Sequence, residues 1–135
     1  MKILGVDFGD SRTGYAVSDV LGFAANVLDA YKCKNMVKVA DYTAELSKQL
    51  GAETIVLGFP KNMNGTLGDR AKKTQKFAEL LKERLDTPVI LWDERLTTVS
   101  AHNLMNETNV RGQKRKDSVD SISAAYLLQS YLDSK

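Results

Sequence analysis

The chain has 135 residues, 43% apolar and 27% charged, which is ordinary for a globular protein. Nineteen Lys and Arg against seventeen Asp and Glu leave a net charge of +2, too mild to argue for nucleic acid without local clustering. One cysteine, Cys33, excludes an internal disulfide, and one histidine, His102, excludes a Cys/His zinc site. No segment approaches the roughly 20 apolar residues that span a membrane. The start MKILGVDFGD lacks the uninterrupted apolar run of a signal peptide, so a cytosolic protein is expected.

Residues 2–8 (KILGVDF) are short and apolar and run into Gly9, Asp10 and Ser11, the pattern of a buried strand entering a turn. Residues 13–18 are expected to form a second strand, antiparallel to the first, and residues 23–31 a third. A helix is predicted over 36–50, with Val37, Ala40, Ala44 and Leu46 or Leu50 on its buried stripe and Gly51 as its stop. Residues 54–60 (TIVLGFP) read as a core strand, followed by the loop KNMNGTLGD. The next helix is predicted over 69–86, burying Ala71, Phe77, Leu80, Leu81 and Leu85. A strand at 88–94 (PVILWDE), a short helix at 97–106, a basic loop RGQKRK and a final helix near 118–132 complete the chain.

The early hairpin calls for antiparallel pairing, and the later alternation of strands and helices for parallel pairing. The expectation is one domain, 1–135, built as a mixed α/β sheet of five strands with helices on both faces. In such sheets sites gather at the carboxyl ends of the parallel strands.

Three acids stand where that edge would be. Asp7 ends the first strand, and Glu94, beside Asp93, ends the fifth. Each is also explained as an acid marking a strand exit. Asp120 heads a stripe that continues through Ala124, Leu127 or Leu128 and Tyr131, where an uncompensated acid is costly. The alternative is a helix start, with Asp117 or Ser118 as N-cap and Asp120 in the first turn. Converging carboxylates would suit Mg²⁺ or Mn²⁺, and two such ions about 3.5–4 Å apart serve phosphodiester cleavage.

The basic segment Arg111, Lys114, Arg115 and Lys116 lies just before Asp120 and reads either as a solvated loop or as a phosphate-attracting patch. Lys61 follows a strand end and is free of the turn-building that explains Asn64 and Gly65. Arg95 and Thr97 would orient substrate or cap the next helix, Thr97 best as an N-cap. His102, Cys33, Trp92 and Tyr126 read as structural residues.

The spacing from Gly9 to Gly14 matches a phosphate loop, but Tyr15 and Ala16 replace the required Lys and Ser/Thr. The tripeptide Asp7-Phe8-Gly9 occurs in kinases whose other signatures are absent here. The two-domain ATPases of the sugar-kinase and actin superfamily also begin with an acidic, glycine-containing turn, yet 135 residues are too few for both domains.

Four stretches, GVDFGDSRTGYAVSD (5–19), VLGFPKNMNGTLG (56–68), WDERLTTVSAHNL (92–104) and KDSVDSISAAYLLQSYL (116–132), together resemble the YqgF family, also called RuvX. The resemblance implies a ribonuclease-H-like fold similar to the RuvC resolvases, and a cytoplasmic bacterial protein. It implies a metal-dependent nuclease with Asp7, Glu94 and Asp120 as catalytic and metal-binding acids, Mg²⁺ or Mn²⁺ as cofactor and pre-16S ribosomal RNA as partner. Lys61, Arg95, Arg111, Lys114, Arg115 and Lys116 are then the candidates for gripping the nucleic acid. The alternatives are a Holliday junction resolvase working on branched DNA as a homodimer, and a non-catalytic RNA-binding factor in ribosome maturation.

Overall fold

The computed structural model describes residues 2–19, 24–60, 68–93 and 112–134, with side chains of the last segment from residue 121 onward. Five strands form one sheet: β1 (Ile3–Asp7), β2 (Arg12–Ser18), β3 (Ala25–Lys32), β4 (Thr54–Phe59) and β5 (Val89–Asp93). Their order is β3-β2-β1-β4-β5. β2 runs antiparallel to β1 and to β3, whereas β4 runs parallel to β1 and to β5. The three described helices are α1 (Met36–Leu50), α2 (Asp69–Arg84) and α3 (Gly112–Asp133). The mixed sheet with helices on both faces matches the sequence expectation. The short helix expected at 97–106 lies outside the described residues.

Side-chain alternation along β1 sorts the core into two layers. Leu4, Val6 and Phe8 point to the face covered by α1 and α2, where they join Tyr15, Ile55, Leu57, Val39, Phe77 and Leu81. Phe8 and Phe77 stack there with ring centroids 4.3 Å apart. Ile3 points to the opposite face, where Ala16 and Val56 meet Ala124, Ala125, Leu127, Leu128 and Tyr131 of α3. Gly5 lies on that face too: a Cβ added to it would stand 2.9 Å from Leu128 Cβ and 3.1 Å from the Ala124 carbonyl oxygen. The bare glycine is what lets α3 settle against β1.

α1 begins where Asn35 caps it, its side-chain oxygen accepting from the Lys38 N–H at 3.1 Å. It ends at Gly51, whose φ of 69° is the left-handed conformation of a helix stop, with the Ala52 N–H donating back to the Ser47 carbonyl. The bounds are those predicted, but the buried stripe is not. Val37 is 48% exposed, Leu46 and Leu50 are half-buried, and the buried residues are Val39, Ala40, Thr43, Ala44 and Ser47. Two hydroxyl residues thus occupy core positions that an apolar template skips. Thr43 is accommodated because its Oγ1 donates to the Val39 carbonyl at 2.7 Å and lies 2.6 Å from the Tyr15 hydroxyl.

α2 buries Ala71, Phe77 and Leu81 as expected, while Leu80 and Leu85 are half-buried. It stops at Arg84, two residues before the predicted end, as the chain extends toward Pro88. The larger correction concerns α3. It starts at Gly112 rather than near residue 118, so residues 112–116 of the expected basic loop are helical. Asp117 and Ser118 therefore lie inside the helix and are not its N-cap, and Asp120 is not in its first turn. Gln113, Lys114, Arg115 and Lys116 are strong helix formers, and their intrinsic preference outweighs the look of a charged linker. The stripe read from Asp120 does hold, since Ala124, Leu127, Leu128 and Tyr131 are buried.

Candidate active site

Because β1, β4 and β5 are mutually parallel, their carboxyl ends share one edge of the sheet. Val6 pairs with Leu57, and Phe59 with Asp93, so Asp7 and Asp93 close their strands along this edge. Asp7 sits between two glycines. Its β2 partner is Gly14, and on β4 the residue after Leu57, the partner of Val6, is Gly58. Neither neighbour in the sheet puts a side chain beside the carboxylate. The Asp7 side chain is only 16% exposed. Alternation places it with Ile3 and Gly5 on the α3 face of the sheet.

The turn after β1 is tight. A Cβ on Gly9 would collide with the carbonyl oxygen of Arg12, so that position requires glycine. The tightness brings β2 straight back beside β1 and sets Gly14 against Asp7.

α3 approaches the same edge from the opposite face to α1 and α2. The Tyr15 N–H donates to Ser121 Oγ at 3.5 Å, one residue from Gly14 in β2 and one from Asp120 in α3. The register of β2 on β3 shifts between Thr13 and Tyr15, and it is at this irregularity that the Tyr15 N–H meets the helix. Ala124 and Leu128 lie over Gly5, so the helix runs from the Asp7 end of β1 toward its start. The backbone of Asp120 is thereby brought to the Asp7 end of the sheet.

α2 supplies cations on the other side. Arg70 Nη2 is 3.7 Å from Asp7 Oδ1 and donates to the Phe8 carbonyl at 3.4 Å. Lys73, one turn along, is 3.3 Å from Asp10 Oδ1 in the following turn. Neither cation stood out in the sequence. The signal was present: both fall in the first turns of the helix that follows a parallel strand, and such helix starts face the active edge.

Of the predicted acids, Asp7 is at the edge, and Glu94 is the residue after Asp93, outside the described residues. Asp120 is placed through its backbone alone. Among the described residues no three acid, His or Cys side chains form a metal-binding group. Lys61, Arg95 and Arg111 lie outside the described residues, and Lys114, Arg115 and Lys116 lie along the start of α3, their side chains outside them. Trp92 is half-buried and packs against the α3-side core, its ring edge-on to Tyr131 at 5.4 Å and its Nε1 donating to Ser130 Oγ. Among the described residues no helix is long and apolar enough to cross a membrane.

Comparison with known proteins agrees with this fold. The family model described as "RuvX: Holliday junction resolvase" matches residues 1–134. A protein of Acetivibrio thermocellus named "Putative pre-16S rRNA nuclease" is 48% identical, the match covering 100% of this chain and 97% of that protein. One of the same name from Clostridium novyi is 47% identical, with 99% of each covered. Among solved structures, Thermus thermophilus RuvC in complex with a Holliday junction substrate superposes with a TM-score of 0.65 at 12% identity, covering 98% of this chain and 96% of that one. The Fowlpox virus resolvase bound to junction DNA superposes with a TM-score of 0.59 at 16% identity, covering 99% and 98%. At those identities the likeness is one of fold, and it is the ribonuclease-H-like fold of the resolvases. With a full-length family match and relatives near half identity, the chain belongs to the RuvX family of nucleases.

Proposed function

We propose that this chain is a single-domain, metal-dependent endonuclease of the cytoplasm that cleaves structured RNA, processing the 5′ end of pre-16S ribosomal RNA. The observation that carries the site is the seating of Asp7 between two glycines at the sheet edge toward which Ser121 anchors α3. The choice of RNA rests on the names of relatives at 47–48% identity along the whole chain.

A hard divalent cation fits this place. The candidate donors are all carboxylate oxygens, the Asp7 carboxylate is largely withdrawn from water, and both its sheet neighbours are glycines. Asp7, Glu94 and Asp120 would hold one or two Mg²⁺ or Mn²⁺ ions. When bound, such ions favour ionisation of water and neutralise charge developing on a phosphodiester's leaving oxygen. The protein's own part is to fix the carboxylates on a rigid strand and a packed helix, and to hold the nucleic acid in register. Lys61, Arg95, Arg111, Lys114, Arg115 and Lys116 would meet its phosphates. Their salt-dependent contacts position the backbone without reading bases.

The test is incubation of the purified protein with precursor rRNA and Mn²⁺, beside Asp7→Asn. Cleavage by the wild type and its loss in the variant, with RNA binding largely kept, is the expected result. Full activity in Asp7→Asn overturns the assignment.

The family description favours a second reading, a Holliday junction resolvase. Symmetric cutting of two strands requires two sites and hence a homodimer. Four-way junction DNA in the same assay separates the two readings, because a resolvase cuts it in preference to the RNA.

A further inference from the structure

The end of β1 is occupied from the α2 side by Arg70. Its Nη2 reaches both Asp7 Oδ1, at 3.7 Å, and the carbonyl of Phe8, at 3.4 Å. The side chain is 56% exposed, so the contact is made across a half-solvated gap. An ion pair of this kind holds weakly. Among the described contacts only one nitrogen of the guanidinium is engaged, out of a planar group with five N–H donors. Asp7 is also the carboxylate proposed above to hold a divalent cation, and its sheet neighbours on either side are glycines. A guanidinium and a divalent cation repel each other and compete for the same oxygen. The weaker, monovalent partner yields.

Once displaced, Arg70 has limited freedom. It is anchored in the first turn of a helix whose buried Ala71, Thr74 and Phe77 hold it against the sheet. The guanidinium then stays within a side chain's length of Asp7, at the edge where a phosphodiester must lie to be cut. Guanidinium matches phosphate with two parallel hydrogen bonds, a geometry lysine lacks. Lys73 has a different carboxylate partner, Asp10 at 3.3 Å, and so does not share this competition.

We infer that Arg70 is a positioning residue with two stations: it rests on Asp7 when no divalent cation is bound, and it grips a substrate phosphate when the cation takes the carboxylate. This rests on the metal-dependent nuclease reading above. It predicts opposite effects on two ligands from one substitution, which loss of structure would not produce.

The full-length chain is titrated with Mn²⁺ in the absence of nucleic acid, and cleavage of a precursor rRNA fragment is followed against salt. Arg70→Gln is expected to bind Mn²⁺ about three- to tenfold more tightly, since a competing cation is gone. Its KM is expected to rise about five- to tenfold with kcat changed less, and its salt dependence to flatten by roughly one phosphate contact. Arg70→Lys keeps the charge and should hold Mn²⁺ affinity near wild type, with an intermediate KM. Lys73→Gln should leave Mn²⁺ affinity unchanged. Equal Mn²⁺ affinity in wild type and Arg70→Gln overturns the inference. So does an equal gain in Lys73→Gln, which would make the effect one of general charge. A wild type that binds no Mn²⁺, or an Asp7→Asn variant that binds it as tightly, overturns the nuclease reading itself and this inference with it.

Discussion

The backbone N–H of Tyr15 donates to Ser121 Oγ at 3.5 Å, and this contact ties the strand beside Asp7 to the helix that carries Asp120. Ser121 is 1% exposed and stands 106 residues from Tyr15 in the chain. It joins the two halves of the candidate site.

If this tie sets the height of Asp120 over the sheet edge, Ser121→Ala lowers kcat about tenfold, because small displacements at a reacting centre are costly. Stability falls by only about 1 kcal/mol, the usual worth of one hydrogen bond. Cleavage kinetics beside urea denaturation would show the split. A stability loss without a fall in kcat would remove Ser121 from this role.

Gly5 makes a second prediction about the same helix. In Gly5→Ala the new methyl would press on Leu128 Cβ and on the carbonyl of Ala124, and neither a Cβ nor a backbone oxygen can rotate aside. Overpacking of this kind costs about 1–3 kcal/mol. α3 is also expected to lift from β1, so cleavage falls along with the denaturation midpoint. An unchanged midpoint would mean that the helix does not need so close a seat.

Tyr15 gives a pH signature. Its ring is fully buried, and burial pushes its phenol well above the ordinary value of 10.0, outweighing the lowering effect of the hydrogen bond with Thr43. The fold therefore prefers the neutral phenol, and the unfolded chain ionises first. The stability tied to this group is intact below about pH 10 and falls above it, by up to about 1.4 kcal/mol per pH unit. Tyr15→Phe should lose about 1 kcal/mol at neutral pH with its hydroxyl contact. It should also flatten the alkaline decline. Denaturation series from pH 7 to 11 on both proteins would check the slope.

Thr13 works in the opposite direction. It is fully buried, and its Oγ1 finds no hydrogen-bond partner among the described residues. Thr13→Val replaces that hydroxyl with a methyl of similar size, and the protein should gain about 1 kcal/mol. A loss of stability in the calorimeter would reveal that the hydroxyl is satisfied after all.

Much of this molecule was legible in the chain. The expected strands lie near their observed bounds, and β1, β4 and β5 are the plainest because each is a short apolar run ending at or just before Asp or Pro. α1 was placed to the residue because Asn35 and Gly51 punctuate it. Its inward face is not legible in a hydropathy pattern, since Thr43 and Ser47 are buried, Thr43 with its hydroxyl bonded to the Val39 carbonyl. The start of α3 is hidden in the sequence because a run of Lys and Arg looks like a linker, although those residues extend a helix readily. Arg70 reads as an ordinary surface cation until the fold brings the Asp7 carboxylate within 3.7 Å of it.

The sequence by itself determined the five strands, the first two helices and the body of the last, the placing of Asp7 at a strand end and the family, because these rest on local pattern and turn chemistry. Only the tertiary structure decided which distant residues come together around Asp7 and α3. Arg70 lies 63 residues beyond Asp7, and Ser121 lies 106 beyond Tyr15. Such pairs come together through the parallel crossover to β4 and the packing of α3 on Gly5, both of which depend on where distant segments fold.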